Sequence, residues 1–161
     1  FERLIIMKKL IAYFSPSGNT KAMAEKLAKA TGADLFEIKP QTPYTRADLD
    51  WTNKNSRSSV EMNDKSYRPQ IAQLPNSLAN YDTIFIGFPI WWYVAPTIIN
   101  TFVENVDLDG KKVIPFATSG GSGMGKTLAN LKPSCPGANW VEGKVINGMS
   151  EKALADWAEK L

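Results

Sequence analysis

The chain contains no histidine and only one cysteine, Cys135. Without an imidazole, the commonest acid–base group at neutral pH and the commonest nitrogen ligand for metals are both missing. That excludes serine–histidine triads, histidine–zinc sites and HExxH chemistry. A lone thiol cannot form an internal disulfide. Cys135 sits in the turn-like segment from Pro133 to Gly137, reads as an inert surface thiol and fits a reducing, cytoplasmic compartment. No apolar run approaches the roughly 20 residues needed to span a bilayer, so no membrane contact is expected. The net charge of +3 comes without a basic run, which gives no reason to expect nucleic acid as a partner.

What is present is an ordinary globular composition: 161 residues, 43% of them hydrophobic, enough to bury a core without staples. The six residues before Met7 are too short for a signal peptide and read as an expression scar or extra chain. Residues 7–161 are therefore expected to form one domain. Short apolar runs alternate with helix-forming stretches, the pattern of a parallel sheet covered on both faces. Strands are expected at Lys8–Phe14, Asp34–Ile38, Thr83–Gly87, Lys112–Ala117 and Trp140–Ile146. Helices are expected at Thr20–Thr31, closed by Gly32, at Pro96–Glu104, at Gly125–Leu131 and at Ser150–Leu161, with Ser150 as cap. The polar connection up to Tyr81 is too long for a structureless loop, so helical turns are expected within Arg46–Trp51 and Arg68–Leu78. Five strands with crossover helices imply a doubly wound α/β three-layer sandwich with a parallel sheet of order 2-1-3-4-5. In such a sheet the ligand site lies at the carboxyl ends of the strands, where the winding reverses.

Three motifs fall at such ends. After the first strand come Ser15, Ser17, Gly18, Asn19 and Thr20, leading into a helix. A helix's first turn has unpaired N–H groups and the positive end of the macrodipole, and hydroxyls add donors without charge, so this segment suits a phosphate. Ser15-x-Ser17-Gly18-Asn19-Thr20 resembles the phosphate loop of the flavodoxin family, which implies a flavodoxin-like fold and one FMN held non-covalently by its 5′-phosphate.

After the third strand stands Pro89-Ile90-Trp91-Trp92-Tyr93, three adjacent aromatics that offer planar, desolvated surface to a ring. Phe88-Pro89-Ile90-Trp91-Trp92 resembles the flavin loop of a flavodoxin-like, flavin reductase-like branch. Trp91 is expected against the ring and Trp92 toward the core.

After the fourth strand, Gly120–Thr127 fits the pattern G-x-x-x-x-G-K-[ST] of a nucleoside-triphosphate loop. Such a site also needs a carboxylate at a strand end to hold magnesium, and Thr83–Gly87 runs out in Gly-Phe-Pro and Trp140–Ile146 in Asn-Gly. The flavodoxin resemblance accounts for the same stretch: Thr118, Ser119, Gly120 and Gly121 match a third ligand loop that approaches the polar edge of the flavin. Lys126 then reads as a solvated helix residue.

Asp48, Asp50, Trp51, Arg57, Glu61 and Arg68 extend the match to the branch, and a buried acid–arginine pair is expected to fix this connection. Two departures bear on function. Many flavodoxins are strongly acidic, which suits docking to basic redox proteins, whereas this chain has a pI near 8.9. Many also place a glycine in the flavin loop, and none stands between Pro89 and Val94. The resemblance thus implies an electron-transfer protein that serves redox partner proteins. An NAD(P)H-dependent reductase passing electrons to a small-molecule acceptor is the alternative. No catalytic acid or base and no metal ligand is assigned; in either role the redox chemistry belongs to the flavin.

Overall fold

The computed structural model describes residues 7–161; the six residues read as scar or extra chain lie outside it. Strand β1 (Lys8–Tyr13) leads into helix α1 (Asn19–Thr31), whose end is closed by Gly32, its N–H on the Ala28 carbonyl at 2.8 Å. Strand β2 (Asp34–Glu37), helix α2 (Arg57–Met62), strand β3 (Tyr81–Pro89) and helix α3 (Thr97–Asn105) follow. Then come strand β4 (Lys112–Thr118), helix α4 (Thr127–Leu131), strands β5 (Asn139–Trp140) and β6 (Lys144–Val145), and helix α5 (Glu151–Glu159). The sheet is parallel with order β2-β1-β3-β4-β5, and β6 also pairs with β4. This is the flavodoxin-like order.

Residues along the central strands alternate between two cores, because successive side chains point to opposite faces of a sheet. Leu10, Ala12, Phe14, Ile84, Ile86 and Phe88 face α3. Ile11, Tyr13 and Phe85 face α1 and α5. Every one of these side chains is buried, so the strand ends are held rigidly from both sides.

Two expectations change. The last strand is not continuous: β5 and β6 pair with opposite ends of β4, and the ladder breaks opposite Pro115. Proline has no N–H to give, and β4 spends its other edge on an unbroken register with β3. In the long connection the helical turn expected within Arg46–Trp51 is present, the Leu49 N–H lying 3.2 Å from both the Thr45 and Arg46 carbonyls, whereas Arg68–Leu78 holds none and a helix not expected forms at Arg57–Met62. Ser56 caps α2 by accepting from the Ser59 N–H. Ile71 instead makes an antiparallel bridge to Pro40, which holds that part of the connection extended.

Candidate functional site

The first motif forms a turn between a buried strand and an uncapped helix. Phe14 is locked by its N–H on the Gly87 carbonyl at 2.9 Å, and the chain then rises through Ser15, Pro16 and Ser17. Gly18 occupies the N-cap position of α1 at φ 92°, where a side chain would be strained, and gives the helix no side-chain cap. Ser15 Oγ accepts the Lys21 N–H at 2.9 Å. The Asn19 and Thr20 amides, at the first two helical positions, have no intrahelical acceptor. The first turn has no acidic residue. Ser17, Gly18 and Asn19 are exposed, and Thr20 is buried. This donor set of hydroxyls and amides at an unneutralised helix start suits an anion.

Thr20 is tied to the third motif: its Oγ1 lies 2.8 Å from Thr118 Oγ1, and both residues are buried. Thr118 also accepts the Ile90 N–H on its carbonyl at 2.9 Å. One residue at the end of β4 therefore joins all three motifs. The third loop is clamped by Asn147, whose Oδ1 accepts from Ser119 N–H at 2.8 Å and whose Nδ2 donates to the Ser119 carbonyl at 3.0 Å. Ser119 Oγ in turn accepts the Gly121 N–H at 3.2 Å. Asn147 was not singled out in the sequence; its only signal was an Asn-Gly pair at the carboxyl end of the last strand.

The aromatic motif is a tight hairpin. Trp91 and Val94 exchange both backbone hydrogen bonds, at 3.0 and 3.2 Å. The two residues between them, Trp92 (φ 50°) and Tyr93 (φ 67°), are in the left-handed region. Two positive φ angles fit the sense of a type I′ turn, a conformation normally given to Asn and Gly. Bulky aromatics there store strain of order 1–3 kcal/mol each.

Trp92, expected toward the core, lies at the surface, while Trp91 packs inward. Trp91 is half-buried, edge-on to Phe14 (5.7 Å, 81°) and to Tyr44 (5.6 Å, 72°). Trp92 is 44% exposed and Tyr93 67% exposed. The reason is the turn itself, which places Trp91 in the paired arm of the hairpin and pushes the next two side chains outward. Pro89 ends β3. Ile90, Trp91, Trp92 and Tyr93 line a cavity of about 360 Å³ together with Trp51 and Ser122. Of the third loop, Ser122 and not Thr118–Gly121 borders this cavity.

The connection before β3 supports the hairpin from behind. Tyr44 donates to Glu61 Oε1 at 2.5 Å, and Arg57 Nε donates to Glu61 Oε2 at 2.9 Å. The Arg57 guanidinium lies 3.8 Å from the centre of the Tyr44 ring. This is the expected acid–arginine pair, with Glu61 only 3% exposed. Burial first, and then the bond to Glu61, raise the Tyr44 hydroxyl far above its ordinary pKa. Tyr44 was missed in the sequence because an isolated tyrosine in a polar stretch carries no periodic signal.

The geometry of a triphosphate loop is absent from Gly120–Thr127. Thr127 is fully buried, and its hydroxyl donates to the Met124 carbonyl at 2.5 Å, so it faces away from any magnesium position. Lys126 N–H is spent on the Tyr93 carbonyl at 3.3 Å. Gly125 lies so close to that carbonyl that a Cβ would fall 2.2 Å from it.

The flavodoxin family profile matches residues 8–161. Among solved structures, a candidate flavoprotein from Bacteroides eggerthii DSM 20697 is 54% identical, with a TM-score of 0.91 over 95% of this chain and 96% of that one. A flavoprotein from Lactobacillus acidophilus NCFM, solved in complex with FMN, is 25% identical with a TM-score of 0.70, covering 95% and 99%. A curated relative, the uncharacterized NAD(P)H oxidoreductase YcaK of Escherichia coli K12, is 30% identical over 98 residues. That match covers 60% of this chain and 45% of the relative, so it spans less than half of YcaK.

Proposed function

The chain belongs to the flavodoxin family, and from that premise we propose that residues 7–161 form one FMN-binding domain that carries electrons between redox proteins. The convergence of three strand-end loops on Thr118 carries this reading, since the buried Thr20–Thr118 pair fixes the phosphate loop relative to the loop beside the ring. The donor set fits FMN: uncharged donors, no carboxylate in the first turn, and a glycine N-cap. The FMN complex of the Lactobacillus acidophilus flavoprotein supports the same cofactor. FMN, when bound, supplies the one- and two-electron redox chemistry; the protein supplies binding, orientation and exclusion of water.

Ser15, Ser17, Gly18, Asn19 and Thr20 hold the phosphate, with the Thr20–Thr118 hydroxyl pair keeping the helix start in place. Ile90–Tyr93 wall the ring, Trp92 and Tyr93 presenting the exposed aromatic surface and Trp91 anchoring them. Pro89 sets the start of the hairpin, and Thr118, Ser119, Gly120 and Gly121 flank the polar edge. Titrating FMN and riboflavin while following tryptophan fluorescence tests the assignment. FMN should bind more tightly by at least about tenfold, since one charge-assisted hydrogen bond contributes roughly 1.5–3 kcal/mol. Equal affinities would sink it.

An NAD(P)H-dependent reductase using the same site is the second reading. The name of the Escherichia coli relative favours it, as does a hairpin whose aromatic tip lies open to solvent, where a small acceptor can reach it.

A further inference from the structure

The largest cavity described lies behind the flavin hairpin, between α2, α3 and α4. It measures about 890 Å³, at the upper end of small-molecule sites. Trp92 and Tyr93 line both this cavity and the smaller one beside the ring. The hairpin partitions them, sealed to the third loop where Lys126 N–H meets the Tyr93 carbonyl. Its description as a neighbour of a flavin rests on the reading above; the cavity itself does not.

Its chemistry is specific. Met62, Val94, Ala95, Ala129 and Pro133 give it apolar walls, while Lys65, Arg68 and Lys126 bring three cations against one carboxylate, Glu104. That carboxylate is already matched: Arg68 holds it from Nε at 2.8 Å and Nη2 at 3.1 Å, and Ser134 Oγ donates to it at 2.8 Å. Asn100 Nδ2 donates to Ser134 Oγ at 3.0 Å and to the Asn130 carbonyl at 3.2 Å, so the polar floor is held in place. Lys65 and Lys126 are left without a described carboxylate partner at the rim. Thr97 also lines the wall; its hydroxyl oxygen is buried and without a hydrogen-bond partner among the described residues, so it is not offered to a ligand.

We propose that this cavity binds a small organic anion with an apolar body, of the aromatic sulfonate or carboxylate class. The apolar walls take the hydrocarbon, and Lys65 and Lys126 take the charge at the rim. The ligand sits on the far side of the hairpin from the ring, so it binds together with FMN and not in its place.

The test is calorimetric titration of 2-naphthalenesulfonate into the protein, flavin-free and with FMN added. One-to-one saturable binding is expected in both forms. The uncharged 2-naphthalenemethanol should bind about tenfold more weakly, since two exposed cations each give a modest attraction. Ala129→Trp, at an exposed helical position, fills the cavity and should abolish sulfonate binding while leaving FMN affinity unchanged; Lys126→Glu should weaken it by at least as much as removing the sulfonate does. Absence of binding, equal affinity for the neutral analogue, indifference to Ala129→Trp or displacement by FMN each overturns the proposal. Failure of FMN to bind with sulfonate binding intact would instead count against the flavin reading alone.

Discussion

Thr20 and Thr118 stand 98 positions apart in the chain, yet their hydroxyl oxygens lie 2.8 Å apart in the interior. Each hydroxyl satisfies the other, and neither has solvent to fall back on. Thr20→Val or Thr118→Val alone should therefore lower stability by ~1–3 kcal/mol, because each leaves a buried hydroxyl unpaired. The double variant should cost less than the sum of the two single ones, since it removes both partners together. Urea unfolding of the four proteins measures the coupling; strict additivity would show that the pair contributes nothing specific.

Asn19→Asp separates the helix from its ligand. A carboxylate in the first turn of α1 interacts well with the macrodipole and should stabilise the free protein by ~0.3–1 kcal/mol. The same charge repels a phosphate, so FMN should bind more weakly while riboflavin binds as before. Thermal unfolding and parallel titrations read the two effects, whose opposite signs no general loss of folding can imitate.

The hairpin should trade stability for binding. Trp92→Asn with Tyr93→Gly puts into the left-handed positions the residues that adopt them readily. Relief of backbone strain should raise stability by about 1–2 kcal/mol, while loss of the exposed aromatic wall should weaken FMN by ~1–3 kcal/mol. A variant that is destabilised, or that keeps full FMN affinity, would mean that the strain or the wall has been misassigned.

Much of this was legible beforehand, and the physical reason differs from part to part. The strands and the helix start after β1 were readable because buried parallel strands and helix starts have local signatures: a short apolar run, then hydroxyls and Gly18. The split of the last strand turned on Pro115, whose missing N–H matters only once β4 has a neighbour on each side. The order of Trp91 and Trp92 could not be read, because adjacent aromatics are distinguished only by the turn that separates them. The acid–arginine pair was readable, Arg57 and Glu61 standing one helical turn apart, but Tyr44 on Glu61 and the Asn147 clamp join residues far apart in the chain, and such contacts leave no periodic trace.

The pH dependence should show two limbs. Burial first, and then Glu37, push the Tyr13 hydroxyl up to about 12. A pKa raised in the folded state gives stability that is complete below the ordinary tyrosine value near 10 and lost as pH climbs toward 12. The Glu104 carboxyl is held below its ordinary value, first by the Arg68 hydrogen bond. Its contribution is present above the ordinary carboxylate range and lost as pH falls through the lowered value. In urea unfolding over a pH series, Tyr13→Phe should flatten the alkaline limb and Glu104→Gln the acid one. Neither should alter the other's limb.

Carrier and reductase separate by rate. A carrier depends on protein partners, so FMN-loaded protein should oxidise NADPH slowly by itself, even with a soluble quinone present. The exposed hairpin face is where a nicotinamide would have to meet the ring, and an interior packed from both sides leaves the strand ends little freedom to close over it. The weakly basic charge of the chain also changes which partner would be steered to it, favouring an acidic reductase over the basic partners that suit acidic carriers. Anaerobic NADPH oxidation, measured with and without an acidic flavin reductase, decides between them. Negligible turnover alone, with reduction through the added reductase that slows as salt rises, is the expected outcome. Sustained turnover near the ~10 per second typical of enzymes, independent of any partner, would instead establish the reductase.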